Sequence, residues 1–154
     1  ADFIAGAIET LAPAREDDGW DLIEGQGSLF HPAFAGVSTG LLHGAQPAAL
    51  VLCHDPLRPH MRGLPHCPMP GLAECLEANL RVARLTSPNV RGVGVALNTA
   101  KLDELTARRM CREAEDALGL PCTDPYRFGS EAIIDLLLET SCAAPSSFAM
   151  TASH

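Results

Sequence analysis

The sequence predicts an α/β fold, a doubly wound, mainly parallel sheet with helices on both faces. Three observations predict it. After an opening helix, short apolar runs alternate with segments at helical spacing through four strand-helix repeats. One of the runs, Ala49-Leu50-Val51-Leu52-Cys53, is almost continuously apolar, as suits a parallel strand covered on both faces. The runs also stop abruptly at polar residues: Glu24, His54-Asp55, Asn98-Thr99 and Thr123-Asp124. Open α/β sheets bind ligands outside the carboxyl ends of their strands, so these stops predict one ligand-binding edge.

Each element has its own local reason. Phe3, Ile4, Ala7, Ile8 and Leu11 fall on one side of a helix that begins at the first residues. The chain has no initiator Met there, and is expected to start inside something longer. Pro13 to Gly19 form a polar, acidic loop with breakers at both ends. Trp20-Asp21-Leu22-Ile23-Glu24 then reads as a buried strand that delivers Glu24 to its tip. Gly25-Gln26-Gly27-Ser28-Leu29-Phe30-His31-Pro32 follows as a loop whose glycines let backbone approach a ligand closely. Val37, Leu41 and Leu42 pattern a helix between Gly36 and Gly44, ended by Gln46-Pro47. Beyond the strand Ala49–Cys53, Pro56 to Pro70 shows no period and is expected to be one long irregular loop. Leu72, Leu76, Leu80 and Ala83 mark an amphipathic helix closing near Leu85. Gly92 to Leu97 forms the third strand, and Leu102 to Leu118 the clearest helix, ended by Gly119. A short strand, Leu120-Pro121-Cys122, precedes a last helix over Ser130 to Glu139. Residues 1–140 thus make one α/β domain, and 141–154 a small, polar tail.

Composition narrows the function. A chain of 154 residues with 47% hydrophobic and 19% charged residues has material for one core. Its net charge of -8 and lone lysine, Lys101, argue against a nucleic-acid surface, so a small-molecule substrate is the expected partner. Six cysteines without a C-x-x-C pair read as free thiols in a reducing, cytoplasmic compartment. No apolar run reaches membrane-span length, and no membrane partner is expected.

Parallel strands would align Glu24, His54, Asn98 and Asp124 along one edge. Glu24 there serves as a general base if its surroundings raise its pKa, or holds Mg2+ through water. Taken singly, Asn98 also reads as a turn residue and Asp124 as a cap before Pro125. Gln26, Ser28 and His31 add an acceptor, donors and a titratable ring within one loop. Arg58 and Arg62 sit in a Pro/Gly-rich frame suited to gripping a carboxylate or phosphate. The set His43, His54, His60, His66 and Cys67 lacks any familiar zinc spacing. Gly36-Val37-Ser38-Thr39-Gly40 matches G-x-S-x-G, but that elbow needs a strand before it. His31-Pro32-Ala33-Phe34-Ala35 cannot be a central strand, and Ser38 is assigned to a helix start.

Five blocks carry a family resemblance. They are Glu24 to Pro32; Gly36-Val37-Ser38 with Gly40 to Gly44; Leu52-Cys53-His54 with His60-Met61-Arg62-Gly63; Val93 to Thr99; and Gly119 to Pro125. Together they resemble the C-terminal domain of a bacterial family long called uncharacterised and often labelled NAD-dependent epimerase/dehydratase. Some of its members are D-glutamate or D-amino-acid N-acetyltransferases. The domain is similar to P-loop proteins of the dethiobiotin synthetase type. There the matching Glu-Gly loop lies by the substrate, and the Asn after the third strand lies near the nucleotide base. No G-x-x-x-x-G-K-[ST] occurs in the chain, so its start is expected to fall after the Walker A segment. The NAD label finds no G-x-G-x-x-G to support it.

The resemblance implies transfer of an acetyl group from acetyl-CoA to the amine of a D-amino acid such as D-glutamate. Glu24 or His54 then serves as base, Gly25, Gln26, Gly27 and Ser28 as backbone donors, and His31, Arg58 and Arg62 as substrate contacts. Asn98, Thr99, Asp124 and Pro125 fall to the cofactor. The alternatives are a nucleotide- and Mg2+-dependent enzyme of ligase or kinase type, with Glu24 on the metal, and a non-catalytic ligand-binding fragment. A homo-oligomer is expected.

Overall fold

Parallel pairing builds the sheet that positions everything else. The computed structural model describes residues 3–15, 17, 19–25 and 28–142. Its helices are α1 (Ile4–Leu11), α2 (Ala35–Ala45), α3 (Leu72–Ala83), α4 (Glu104–Leu118), α5 (Pro125–Phe128) and α6 (Glu131–Cys142). Its strands are β1 (Ala49–His54), β2 (His60–Met61), β3 (Leu64–Pro68), β4 (Arg91–Leu97) and β5 (Cys122–Thr123). β1, β4 and β5 form a parallel sheet in the order β1-β4-β5. The register slips between Leu50 and Val51, which face Gly92 and Gly94.

Side-chain volume explains how the helices sit on it. On one face Leu52 and Leu72 pack with Val95, Leu97, Cys111 and Cys122, while Leu50 and Leu76 pack with Leu80, Ala83 and Val90. That face therefore carries α3 and α4. The other face carries α6, whose Ile133 fills the space above Gly94: a Cβ there would lie 2.7 Å from Ile133 Cγ1. Helices on both faces bear out the α/β expectation. At its start, α4 is capped by Asp103, which accepts from Thr106 N at 2.9 Å and Thr106 Oγ1 at 2.7 Å. At its end Gly119 takes the left-handed conformation, φ 66°, as its place after the helix predicts.

Several expectations are corrected. Trp20–Glu24 is no strand; Trp20 to Gly25 are exposed and unpaired, with Leu22 at 90% exposure. Local ion pairing holds this arm in place of a ladder, since Arg15 Nε lies 2.6 Å from Asp17 Oδ1 and Arg15 Nη1 lies 3.4 Å from Asp21 Oδ1. Among the described residues the sheet thus has three strands, with β1 and β5 as its edges. Pro56 to Pro70 is not wholly irregular: β2 and β3 form an antiparallel hairpin across Arg62-Gly63. Gly63, at φ 75°, supplies the backbone conformation this tight turn needs. Pro65 and Pro68 are tolerated because both strands of a two-stranded ribbon are edges. The α4 helix begins at Glu104, not Leu102, and β5 falls at Cys122–Thr123, not Leu120–Cys122. The last helix runs on to Cys142, and the rest of the expected tail, 143–154, lies outside the described residues.

Candidate functional site

Parallel strands end together, and three of the four expected residues do meet along one edge. Asn98 N donates to His54 O at 2.9 Å, joining the tips of β1 and β4. Thr99 N donates to Asp124 Oδ2 at 2.9 Å, joining the tips of β4 and β5. Glu24 reaches the neighbourhood from the exposed arm instead of from a strand tip. Partial desolvation, and then the charge of Glu24, push the exposed Cys53 thiol above its usual range, so Glu24 is within electrostatic reach of the end of β1. Its neighbour Gly25 rests on α2, where an added Cβ would stand only 2.7 Å from Leu41 Cδ2.

His54 is half-buried, and burial lowers its imidazole below the ordinary 6.5, with Asp55 opposing and Arg58 adding to the shift. The ring is therefore neutral at pH 7 and able to accept a proton. Asp55 Oδ2 pairs with Arg58 Nη2 at 3.3 Å, and its Oδ1 accepts from Leu57 N at 3.2 Å. Arg58 is thus partly engaged before any ligand arrives. Among the described residues the Arg62 guanidinium forms no ion pair.

His31 serves as a strut. Its Nδ1 accepts from Ala33 N at 3.2 Å, so its Nε2 carries the hydrogen and donates to Arg62 O at 3.1 Å. That bond ties the loop before α2 to the hairpin turn and holds Arg62 against it. Ser28 Oγ accepts from Phe30 N at 3.1 Å, which turns the loop without occupying its hydroxyl hydrogen. Gln26 and Gly27 lie outside the described residues.

The end of β5 is closed. Thr99 is fully buried and Asp124 is 4% exposed. Asp124 Oδ2 also accepts from Thr99 Oγ1 at 2.5 Å, and its Oδ1 accepts from Tyr126 N at 3.1 Å and Arg127 N at 3.3 Å. Burial pushes this carboxyl up, but the Thr99, Arg127 and Tyr126 hydrogen bonds outweigh it and hold the pKa below 3.8. Of the four residues expected at a cofactor, Thr99 and Asp124 face inward, whereas Asn98 and Pro125 are exposed.

Among the described residues, no three His, Cys, Asp or Glu side chains stand close enough to hold a metal ion. Magnesium on Glu24 would accordingly depend on a substrate's phosphates and water. Ser38 lies buried inside α2, its N–H bonded to Phe34 O at 3.0 Å, so the G-x-S-x-G match is a helix start and not a nucleophile elbow. What the sequence did not single out is the short helix α5 and its Arg127. The signal was present in Asp124-Pro125, a cap followed by proline at the first helical position. No described helix is long and apolar enough to cross a membrane.

Comparison with known proteins adds a family to this geometry. A family model described as a domain of unknown function, the DUF1611_C P-loop domain, matches residues 1–134. A Pseudoalteromonas protein named D-glutamate N-acetyltransferase is 50% identical over 134 residues, 87% of this chain and 40% of its own length. A protein of the same name from Tritonibacter scottomollicae is 49% identical over 137 residues, 89% of this chain and 41% of its own. The crystal structure of a DUF1611 family protein from Anabaena variabilis is similar with a TM-score of 0.80 at 39% identity, over 90% of this chain and 41% of that one. The chain spans about two fifths of the length of each of these relatives.

Proposed function

The chain belongs to the DUF1611 family by its P-loop domain, and from that premise we propose that it is part of an N-acetyltransferase that acetylates D-glutamate or a similar D-amino acid. The observation that carries this reading is the roughly 50% identity to two relatives of that name, across almost nine tenths of the chain. The expected acyl donor is acetyl-CoA.

The chemistry asks for few groups. The acceptor's ammonium must lose a proton before its nitrogen can attack the thioester carbonyl. His54, kept neutral by burial at the tip of β1, is the group best placed to take it. Glu24, an exposed carboxylate beside the same strand end, draws the ammonium in and is the alternative base. As the new C–N bond forms, backbone N–H groups of Gly25 to Ser28 receive the oxyanion. The C–S bond then breaks and the coenzyme leaves as a thiolate, which takes up a proton. Arg62, held at the hairpin turn by His31, receives a carboxylate of the acceptor, with Arg58 beside it. Asn98 and Pro125 face the donor, while Thr99 and Asp124 hold the frame behind them. A homo-oligomer in the cytoplasm completes the reading; free thiols at Cys53, Cys67, Cys75, Cys111 and Cys122 suit a reducing compartment.

The P-loop description favours one competitor, a nucleotide- and Mg2+-dependent ligase or kinase. Mass spectrometry of D-glutamate incubated with acetyl-CoA and the full-length protein separates the two. Formation of N-acetyl-D-glutamate is expected. Thermal stabilisation by ATP with magnesium, with no acetylated product, would overturn the transferase reading.

A further inference from the structure

The β2–β3 hairpin is paired only with itself, and one imidazole fastens it to the rest of the molecule. Neither strand joins the β1-β4-β5 sheet. The polar contacts at its foot are internal: Met69 N donates to Pro59 O at 3.2 Å, and His60 Nδ1 donates to Met61 O at 2.9 Å. Among the described residues, the bond from His31 Nε2 to Arg62 O is the one hydrogen bond that ties His60–Pro68 to a segment remote in sequence.

The ring that makes this bond is itself held on three sides. Its Nδ1 accepts from Ala33 N, its face lies against Phe34 with centroids 4.6 Å apart, and its own carbonyl accepts from Phe34 N and Ala35 N, each at 2.9 Å. His31 is therefore seated on the start of α2 before it reaches the hairpin. A neutral imidazole has one lone pair and one N–H to offer, and both are spent. Expected from the sequence to touch substrate, His31 has no polar group left with which to do so. At the hairpin, Met61 is buried while Arg62 beside it is exposed, so the turn is anchored next to a charge left in solvent.

We propose that His31 is a positioning residue: it latches the hairpin turn to the start of α2 and so fixes where Arg62 meets a carboxylate of the acceptor. The role of Arg62 rests on the acyl-transfer reading above, whereas the latch stands on the two ring contacts. A short ribbon without a sheet to join has little of its own to hold its place. Fixing its turn from a helix start lowers the cost of ordering Arg62 around a substrate, which is an effect on binding and not on the proton transfer.

Two substitutions in the full-length protein separate the two ring contacts. An asparagine amide puts its oxygen where Nδ1 stands and stops short of Arg62; a glutamine amide puts its nitrogen where Nε2 stands. His31→Asn is expected to raise KM for D-glutamate on the order of tenfold, with kcat and melting temperature unchanged. His31→Gln restores the donor and is expected to recover most of that loss. Arg62→Gln should raise KM as well, and adding His31→Asn to it should change nothing further, because both act through one guanidinium. Hydrogen exchange at the Arg62 and Gly63 amides reads the latch without catalysis, and should be faster in His31→Asn but parent-like in His31→Gln. Additive losses in the double variant, a fall in kcat at constant KM, or unchanged exchange in His31→Asn would overturn the proposal. Faster exchange in His31→Asn, with no acetylated product from the parent or any variant, would uphold the latch and overturn the acyl-transfer reading.

Discussion

Glu24 and Asp124 are both acids expected at strand ends, yet they lie in regions of opposite character. Asp124 is buried, and both its oxygens accept two hydrogen bonds from two loops. Glu24 rides on an exposed arm that pairs with no strand and is braced by Arg15 and by the seat of Gly25 on Leu41. A carboxylate whose lone pairs are all taken by its own fold stabilises structure; one that faces solvent keeps its lone pairs for a ligand. The contrast divides the molecule. The β4–α4–β5–α5 region is a scaffold with a closed polar network, and the β1 tip with its arm and hairpin is the open side, where the proposed acyl transfer would take place.

The largest effect expected from breaking that division is at Asp124. Asp124→Ala leaves buried donors on Thr99 and Arg127 without their acceptor, and is expected to lower the unfolding free energy by roughly 3 kcal/mol. Urea unfolding measures this. The acid limb carries the same information. Because the folded pKa of Asp124 lies below its ordinary value, its stabilisation is complete above about pH 4 and is lost as pH falls through the lowered value. In Asp124→Asn that contribution to acid unfolding should vanish.

A smaller loss is expected where packing alone is disturbed. Gly94→Val brings a side chain onto Ile133, at a point where even a Cβ would stand 2.7 Å from Cγ1. Lifting α6 off the sheet should cost about 1–3 kcal/mol, read from the melting temperature. The smallest change in stability belongs to Glu24→Gln, within about 0.5 kcal/mol, because nothing in the core depends on that exposed side chain. Its kcat/KM for D-glutamate should nonetheless fall. Unchanged kinetics together with a loss of stability would reverse the division drawn between the two acids.

Much of this was legible in the sequence, for physical reasons that also explain what was not. The run Ala49 to Cys53 is a parallel strand as read, but not one covered on both faces, since β1 is an edge and Val51 and Cys53 are exposed; Asp103 with Gly119 marked the ends of α4. Once the strands were in place, His54, Asn98 and Asp124 had to share an edge. Trp20 to Glu24 misled because an apolar run records burial only when a neighbouring strand is there to pair with it. The β2–β3 hairpin escaped because its prolines are ordinary breakers except in strands that are edges. Arg127 was invisible for another reason: a single arginine does not show the carbonyls it caps.

The most direct measurement is the pH dependence of D-glutamate acetylation by the full-length protein, compared with His54→Gln. In the parent, kcat/KM should rise through an ionisation below the usual histidine value of 6.5, as the half-buried imidazole loses its proton. The variant should melt like the parent, lose most of its rate and lose that limb. If His54→Gln keeps both the limb and the rate, the open tip of β1 does not carry the proton transfer, and the reactive side of the molecule lies elsewhere.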